Sequence, residues 1–342
     1  MIRFEQASRV LNSARGSGAF SAVSAEVGSS SGPRWSFAEG QLTSEPTSGP
    51  VDTATIFDLA SLTKVLVTTT LAAGHLDSGR LQLDKSIAAL VPEWKGPDRS
   101  GVTIRDCLEH CSGLPAHRPY FQLLSGRTAY QAAIACEPLE YAPRTRELYS
   151  DLDFILLGFI LEDVGGAGLA AQFREWQVAN GLAGELVFTP MAPVRARIAG
   201  TGVDPWRGRT LQGEVHDQNA AALDGIAGHA GLFGTAAAVG EMARWWSAHL
   251  PQLLSFVERS SVTNSSRALG WDTMLPTSSC GERLSPRAFG HTGFTGTSLW
   301  IDPGHDLYFV LLTNFVENSR DRAIIRSLRR AFHDAVMIDL AL

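Results

Sequence analysis

The chain has 342 residues, 44% of them hydrophobic and 19% charged, with a formal net charge of -6. These are the proportions of a soluble globular protein long enough for a large core, or for one domain with an insertion. An acidic balance without any basic block argues against nucleic acid or an anionic membrane surface as a partner. No stretch approaches the roughly 18–20 apolar residues of a membrane span.

Charges interrupt the start, Met1 to Gln6, where an apolar leader would be continuous. The four cysteines, Cys107, Cys111, Cys136 and Cys280, have no disulfide-framework spacing. Both features predict a reduced, cytoplasmic setting; a periplasmic one would require a leader already removed. After an amphipathic first helix, Ala19 to Val27 and Arg34 to Glu39 read as strands joined by a turn at Gly28–Pro33. A mostly apolar helix then runs from Ser61 to Gly79, the expected C′ glycine. From about residue 84 to 235 the sequence alternates helical patches with Gly-, Pro- and Ala-rich connections. Near the end, Thr297–Ile301 and Leu307–Thr313 read as a hairpin around Asp302–Asp306, and a helix from Arg320 to Val336 closes the chain.

Strands at both ends with helices between them predict an α/β (α+β) fold. One antiparallel sheet is built from the two termini and flanked by helices, with an inserted all-helical region. The expected division is 1–83 plus 236–342 for the sheet domain and 84–235 for the mainly helical insert. A cleft between them is where a ligand would sit.

The chain has three lysines, and one of them, Lys64, follows Ser61 by three residues. Residues i and i+3 share a helix face, so the hydroxyl and the amine can meet. Burial near a helix N-terminus disfavours the ammonium, and a neutral amine beside a hydroxyl makes a nucleophile. The same tetrapeptide also reads as an N-cap followed by a solvated lysine. Tyr149-Ser150-Asp151 opens a second apolar helix. Ser150 with Asp153 resembles a capping box, Tyr149 with Phe154 a hydrophobic staple, and a phenol there can also shuttle a proton. His291-Thr292-Gly293-Phe294 precedes the last hairpin, where small residues leave room for a substrate and a backbone N–H for an oxyanion.

Other matches fail their own context. Gly28–Gly32 fits G-x-S-x-G, but Pro33 and a strand follow where a helix is required. Gly166–Ala171 resembles a dinucleotide fingerprint but follows a helix. Cys107, His110, Cys111 and His117 lack zinc-ligand spacing. No metal or cofactor is expected.

In chain order, Ser61-x-x-Lys64, Tyr149-x-Asp151 and His291-Thr292-Gly293 resemble the S-x-x-K, Y-x-N and K-T-G series of the class C β-lactamase and penicillin-binding-protein superfamily. The stretches Ile56–Lys64, Leu76–Pro92, Glu109–Pro115, Tyr149–Gly158, Gly228–Thr235 and Phe289–Pro303 are similar to that family too. The resemblance implies attack by Ser61 on a carbonyl, proton transfer shared by Lys64 and Tyr149, and an oxyanion hole from the N–H groups of Ser61 and Phe294. Asp151 and His291, with Thr292 and Gly293, would face the substrate. Two departures matter. Asp151 cannot donate as the family's Asn does, and His291 carries less charge than the family's Lys. They shift the expectation from β-lactam hydrolysis toward an esterase-like enzyme acting on small neutral esters or amides, with a D-aminopeptidase, a DD-peptidase or a β-lactamase proper as alternatives. A non-catalytic binding protein of the same fold would have lost a core group.

Overall fold

A computed structural model describes residues 3–45, 47–319 and 321–342. The two ends of the chain together build one six-stranded antiparallel sheet. β1 (Ala22–Ser29) and β2 (Gly32–Gly40) form a hairpin through the two-residue link Ser30-Ser31, which is what the formal G-x-S-x-G match amounts to. β3 (Asp272–Thr273), β4 (Phe289–Thr292), β5 (Ser298–Asp302) and β6 (Leu307–Thr313) come from the last quarter of the chain. The spatial order is β2-β1-β6-β5-β4-β3, with Val23 of β1 opposite Thr313 of β6.

Alternation along the strands assigns the two faces. Val23, Ala25 and Val27 point into a core that contains Leu11 of the first helix (Glu5–Gly16) and Phe332 and Val336 of the last (Arg322–Asp339). Glu26 points the other way. There its carboxylate accepts a hydrogen bond from Tyr308 at 2.7 Å and lies 3.6 Å from Arg244 of the helix Ala236–His249. Arg320, the expected start of the last helix, lies outside the described residues.

The middle of the chain carries the helices Ile104–Leu108, Arg127–Cys136, Asp151–Gly165 and Leu169–Ala179. It differs from an all-helical region by four strands, Leu186–Phe188, Gly202–Asp204, Arg209–Leu211 and Leu232–Gly234. At three residues each, they are too short for alternation to register in sequence.

The helix after Ser61 is π-type over Lys64–Thr69 and α-helical over Thr70–Asp77, with Gly79 in the left-handed conformation as its C′ residue. Residues 62–73 are all buried. The segment 228–232 lies across this helix: Thr68 Oγ1 donates to Gly228 O at 2.6 Å and Leu232 N to Thr63 Oγ1 at 3.1 Å. Gly228 reaches that position because it packs directly on Gly158, and a Cβ on it would strike the Phe154 carbonyl. Gly228→Ala therefore costs about 1–3 kcal/mol through overpacking, measured as a fall in urea midpoint at unchanged slope.

Candidate active site

The short strand Phe57–Asp58 pairs with Leu232–Gly234 and leads into a tight turn that presents Ser61. Ala60 holds φ +47° in this turn, a conformation uncommon for a residue with a Cβ. Asp58 fixes it: one carboxylate oxygen accepts from Ala60 N at 2.8 Å and the other from His216 N at 2.7 Å. Burial pushes the Asp58 carboxyl up to about 6 against those two hydrogen bonds. The loop between β4 and β5 is tied to the same turn. Thr295 Oγ1 donates to Asp58 O at 2.7 Å and Thr297 Oγ1 to Leu59 O at 3.1 Å. Gly293 sits against Leu59 and Ala60 so closely that a Cβ there would meet the Leu59 carbonyl. This brings His291-Thr292-Gly293-Phe294 beside Ser61, although 230 residues separate them in sequence.

Lys64 is fully buried, and its three ammonium protons are all placed. Nζ donates to Ser61 Oγ at 3.0 Å, to Asp151 Oδ1 at 2.8 Å and to His229 O at 3.2 Å. The ring of Tyr149 lies 4.8 Å from Nζ. Burial acts to lower the lysine pKa, but Asp151 and Tyr149 more than offset it, so the net shift is upward. The ease of deprotonation expected from burial alone is thereby reversed: Asp151 neutralises the site, and Lys64 rests as the ammonium. Asp151 resists burial in turn, held well below the usual carboxylate range by Lys64, His117 and His229. Its second oxygen lies 3.8 Å from His117 Nδ1.

Ser150 is the N-cap of the helix Asp151–Gly165, accepting from Asp153 N at 3.3 Å. Its own N–H goes to His110 Nδ1 at 3.1 Å, so the capping box is only half formed. The His110 ring lies 4.6 Å from the Tyr149 ring, tilted 45° to it. Cys107 and Cys111 are buried, and burial raises both thiols.

His291 is buried in β4, its ring 5.8 Å from Tyr149. Burial, with Arg267 and Lys64 nearby, holds it well below its usual range, so it is neutral. Its Nδ1 lies 2.9 Å from Thr292 O. A carbonyl only accepts, so Nδ1 carries the proton and Nε2 presents a lone pair. Thr292 and Gly293 line the cleft, and Phe294 stands at its mouth, 42% exposed. Among the described residues neither Ser61 N–H nor Phe294 N–H has a protein acceptor.

The cleft encloses about 860 Å³ and gathers Ser61, Tyr149, Asp151, His291, Thr292, Gly293 and Phe294 on its walls, with Lys64 behind Ser61. Arginines that no sequence motif marked also line it, and His229, from the family-like stretch Gly228–Thr235, lies beside it. Arg267 lies 5.1 Å over the Tyr149 ring and pairs with Glu147 at 2.9 Å. His229 Nε2 meets Asp217 at 2.8 Å. Arg322, Arg326 and Arg329 of the last helix form part of the far wall.

A sheet from both chain ends, helices on its faces and this cleft at its edge define the β-lactamase and transpeptidase-like architecture. The chain belongs to the β-lactamase family, whose model, described as Beta-lactamase, matches residues 29–333. It is 30% identical to a putative D-alanyl-D-alanine carboxypeptidase of Escherichia coli K12, the match covering 77% of this chain and 69% of the relative. The fold is that of a class C β-lactamase from Rhodobacter sphaeroides (TM-score 0.77, 17% identity, 98% and 99% of the two chains). It is also that of EstCE1, a hydrolase with promiscuous acyltransferase activity (TM-score 0.73, 19% identity, 96% and 98%).

Proposed function

We propose that this protein is a serine hydrolase that works through an ester on Ser61, with small esters or amides as substrates. The observation that carries the reading is the 3.0 Å hydrogen bond from Lys64 Nζ to Ser61 Oγ, made just behind the cleft wall and beside Tyr149. Ser61 Oγ attacks the substrate carbonyl as its proton passes to Tyr149, which enters the step as its phenolate and leaves it as the phenol. Lys64, kept charged by Asp151, steadies the charge that moves between the two oxygens. The N–H groups of Ser61 and Phe294, free of protein acceptors, receive the oxyanion. Tyr149 then returns the proton to the leaving group, and water repeats the cycle in reverse to free the acid.

Hydrolysis of a p-nitrophenyl ester, a chromogenic cephalosporin and a peptide ending in D-alanyl-D-alanine tests this reading. Ester turnover well above cephalosporin turnover is the expected result. The second reading is a peptidase, which the name of the Escherichia coli relative supports. Peptide turnover above ester turnover would favour it, and no turnover of any of the three contradicts both.

A further inference from the structure

Asp58 is buried on the short strand before Ser61, and its bonds reach both segments that carry the free N–H groups of the site. One carboxylate oxygen accepts from Ala60 N at 2.8 Å and so holds the left-handed residue whose peptide with Ser61 supplies the Ser61 N–H. The other accepts from His216 N at 2.7 Å, and the His216 ring stacks 5.5 Å from the Phe294 ring. The Asp58 carbonyl accepts from Thr295 Oγ1 at 2.7 Å, one residue past Phe294. One residue is thus tied to both halves of the oxyanion hole.

The His216 segment is clamped from its other side. Arg207 donates to Val215 O at 2.8 Å and to His216 O at 3.0 Å, and its Nε bonds Asp204. Among the described residues no lysine or arginine pairs with Asp58, so two peptide N–H groups carry the load of a buried charge. The loops packed on it bring Asp217, which raises the carboxyl, Arg207, which lowers it, and the His216 imidazole. Lys64, on the turn that follows, faces Asp151. The strand Leu232–Gly234 and the β4–β5 loop bring no titratable group. Burial outweighs the two hydrogen bonds and Arg207, and the carboxyl sits at about 6.

We propose that Asp58 is the positioning residue of the oxyanion hole, its ionised carboxylate holding the Ser61 and Phe294 N–H groups on one target. The proposal rests on the Ser61 hydrolase reading and adds to it the group that keeps the two donors aligned. Protonation turns one carboxylate oxygen into a donor, so either Ala60 N or His216 N loses its charge-assisted bond. The hole is therefore formed above about pH 6 and slackens as pH falls through that value.

The test compares kcat/KM for 4-nitrophenyl acetate with that for its thionoester, in which sulfur replaces the carbonyl oxygen and accepts hydrogen bonds poorly. Ionisations of Lys64, Tyr149 and His117 act on both esters alike and cancel in the ratio. At about pH 8 wild type should prefer the oxygen ester by about 100-fold or more, the worth of one oxyanion donor. That preference should fall by about fivefold or more on going to about pH 5. Asp58→Asn cannot ionise and turns an amide N–H toward one of the two donors. It should show a low preference that does not change with pH, the loss falling on kcat and KM staying within about threefold of wild type. A wild-type preference constant over this range, or an Asp58→Asn protein that keeps the full preference, overturns the proposal. The first arm uses wild type alone and decides even where the variant does not fold. Hydrolysis of neither ester by wild type would sink the hydrolase reading and this one with it, whereas hydrolysis of both at a constant ratio overturns the role of Asp58 alone.

Discussion

Ser61→Ala should lower kcat/KM on any substrate the protein hydrolyses by at least about 10³-fold, in line with removal of the serine nucleophile in other hydrolases. The fold should survive. The Ser61 hydroxyl accepts one hydrogen bond from Lys64, and Lys64 keeps Asp151 and His229 when that acceptor is gone. The stability change is then within about 1.5 kcal/mol, the net worth of one hydrogen bond. Steady-state kinetics on an ester, with a thermal melt of the same sample, separates lost chemistry from lost structure. Activity within tenfold of wild type in a folded Ser61→Ala protein would assign the nucleophile elsewhere.

Asp151→Asn should have the second largest effect, on both stability and pH dependence. Lys64 is fully buried, and among the described residues Asp151 is its single carboxylate partner. Removing one member of a buried ion pair costs about 3–5 kcal/mol, read as a large fall in Tm at pH 7. The pH window follows from the two shifts. The Asp151 carboxyl is lower folded than unfolded, so its contribution is present above its ordinary pKa and is lost as pH falls through the folded value. Lys64 is higher folded than unfolded, so its contribution is present below its ordinary value and is lost as pH rises through the folded one. Wild type thus holds the pair across the neutral range, and the variant should show less acid destabilisation than wild type.

The same substitution separates two roles for Lys64. Without Asp151, burial dominates and Lys64 loses its proton at lower pH. If the charged lysine supports Tyr149, the alkaline limb of the pH–rate profile moves down toward neutrality. If Lys64 is itself the base, the acidic limb moves down and the rate at neutral pH rises. The first outcome is expected, because Asp151 holds Lys64 charged.

Much of the site was legible because its members lie in short contiguous motifs. Ser61 and Lys64 need only one helical turn to meet, and they do so although the helix is π-type from Lys64 onward. At Tyr149–Asp151 the capping reading holds in part, since Ser150 caps the helix, and the same segment sets Tyr149 and Asp151 on the cleft wall. The sheet from both chain ends followed from strand patterns at Ala19–Val27 and Arg34–Glu39 on one side and Thr297–Ile301 and Leu307–Thr313 on the other, which match β1, β2, β5 and β6.

What sequence did not reveal depends on distance in space. Asp151 changes from a substrate-facing group to the counter-ion of Lys64 through an approach across 87 residues. The proton on Lys64 follows from that approach, and the neutrality of His291 from burial that no window of sequence displays. The row of Arg322, Arg326 and Arg329 is visible as spacing, but only tertiary packing turns that face toward the cleft. Arg267 lies in an irregular segment with no motif around it, yet stands over Tyr149.

Labelling with a fluorophosphonate, followed by digestion and mass mapping, tests the central claim most directly. The predicted result is a single covalent adduct on the peptide containing Ser61, absent from Ser61→Ala. An adduct on another residue, or one that persists in Ser61→Ala, would contradict the account.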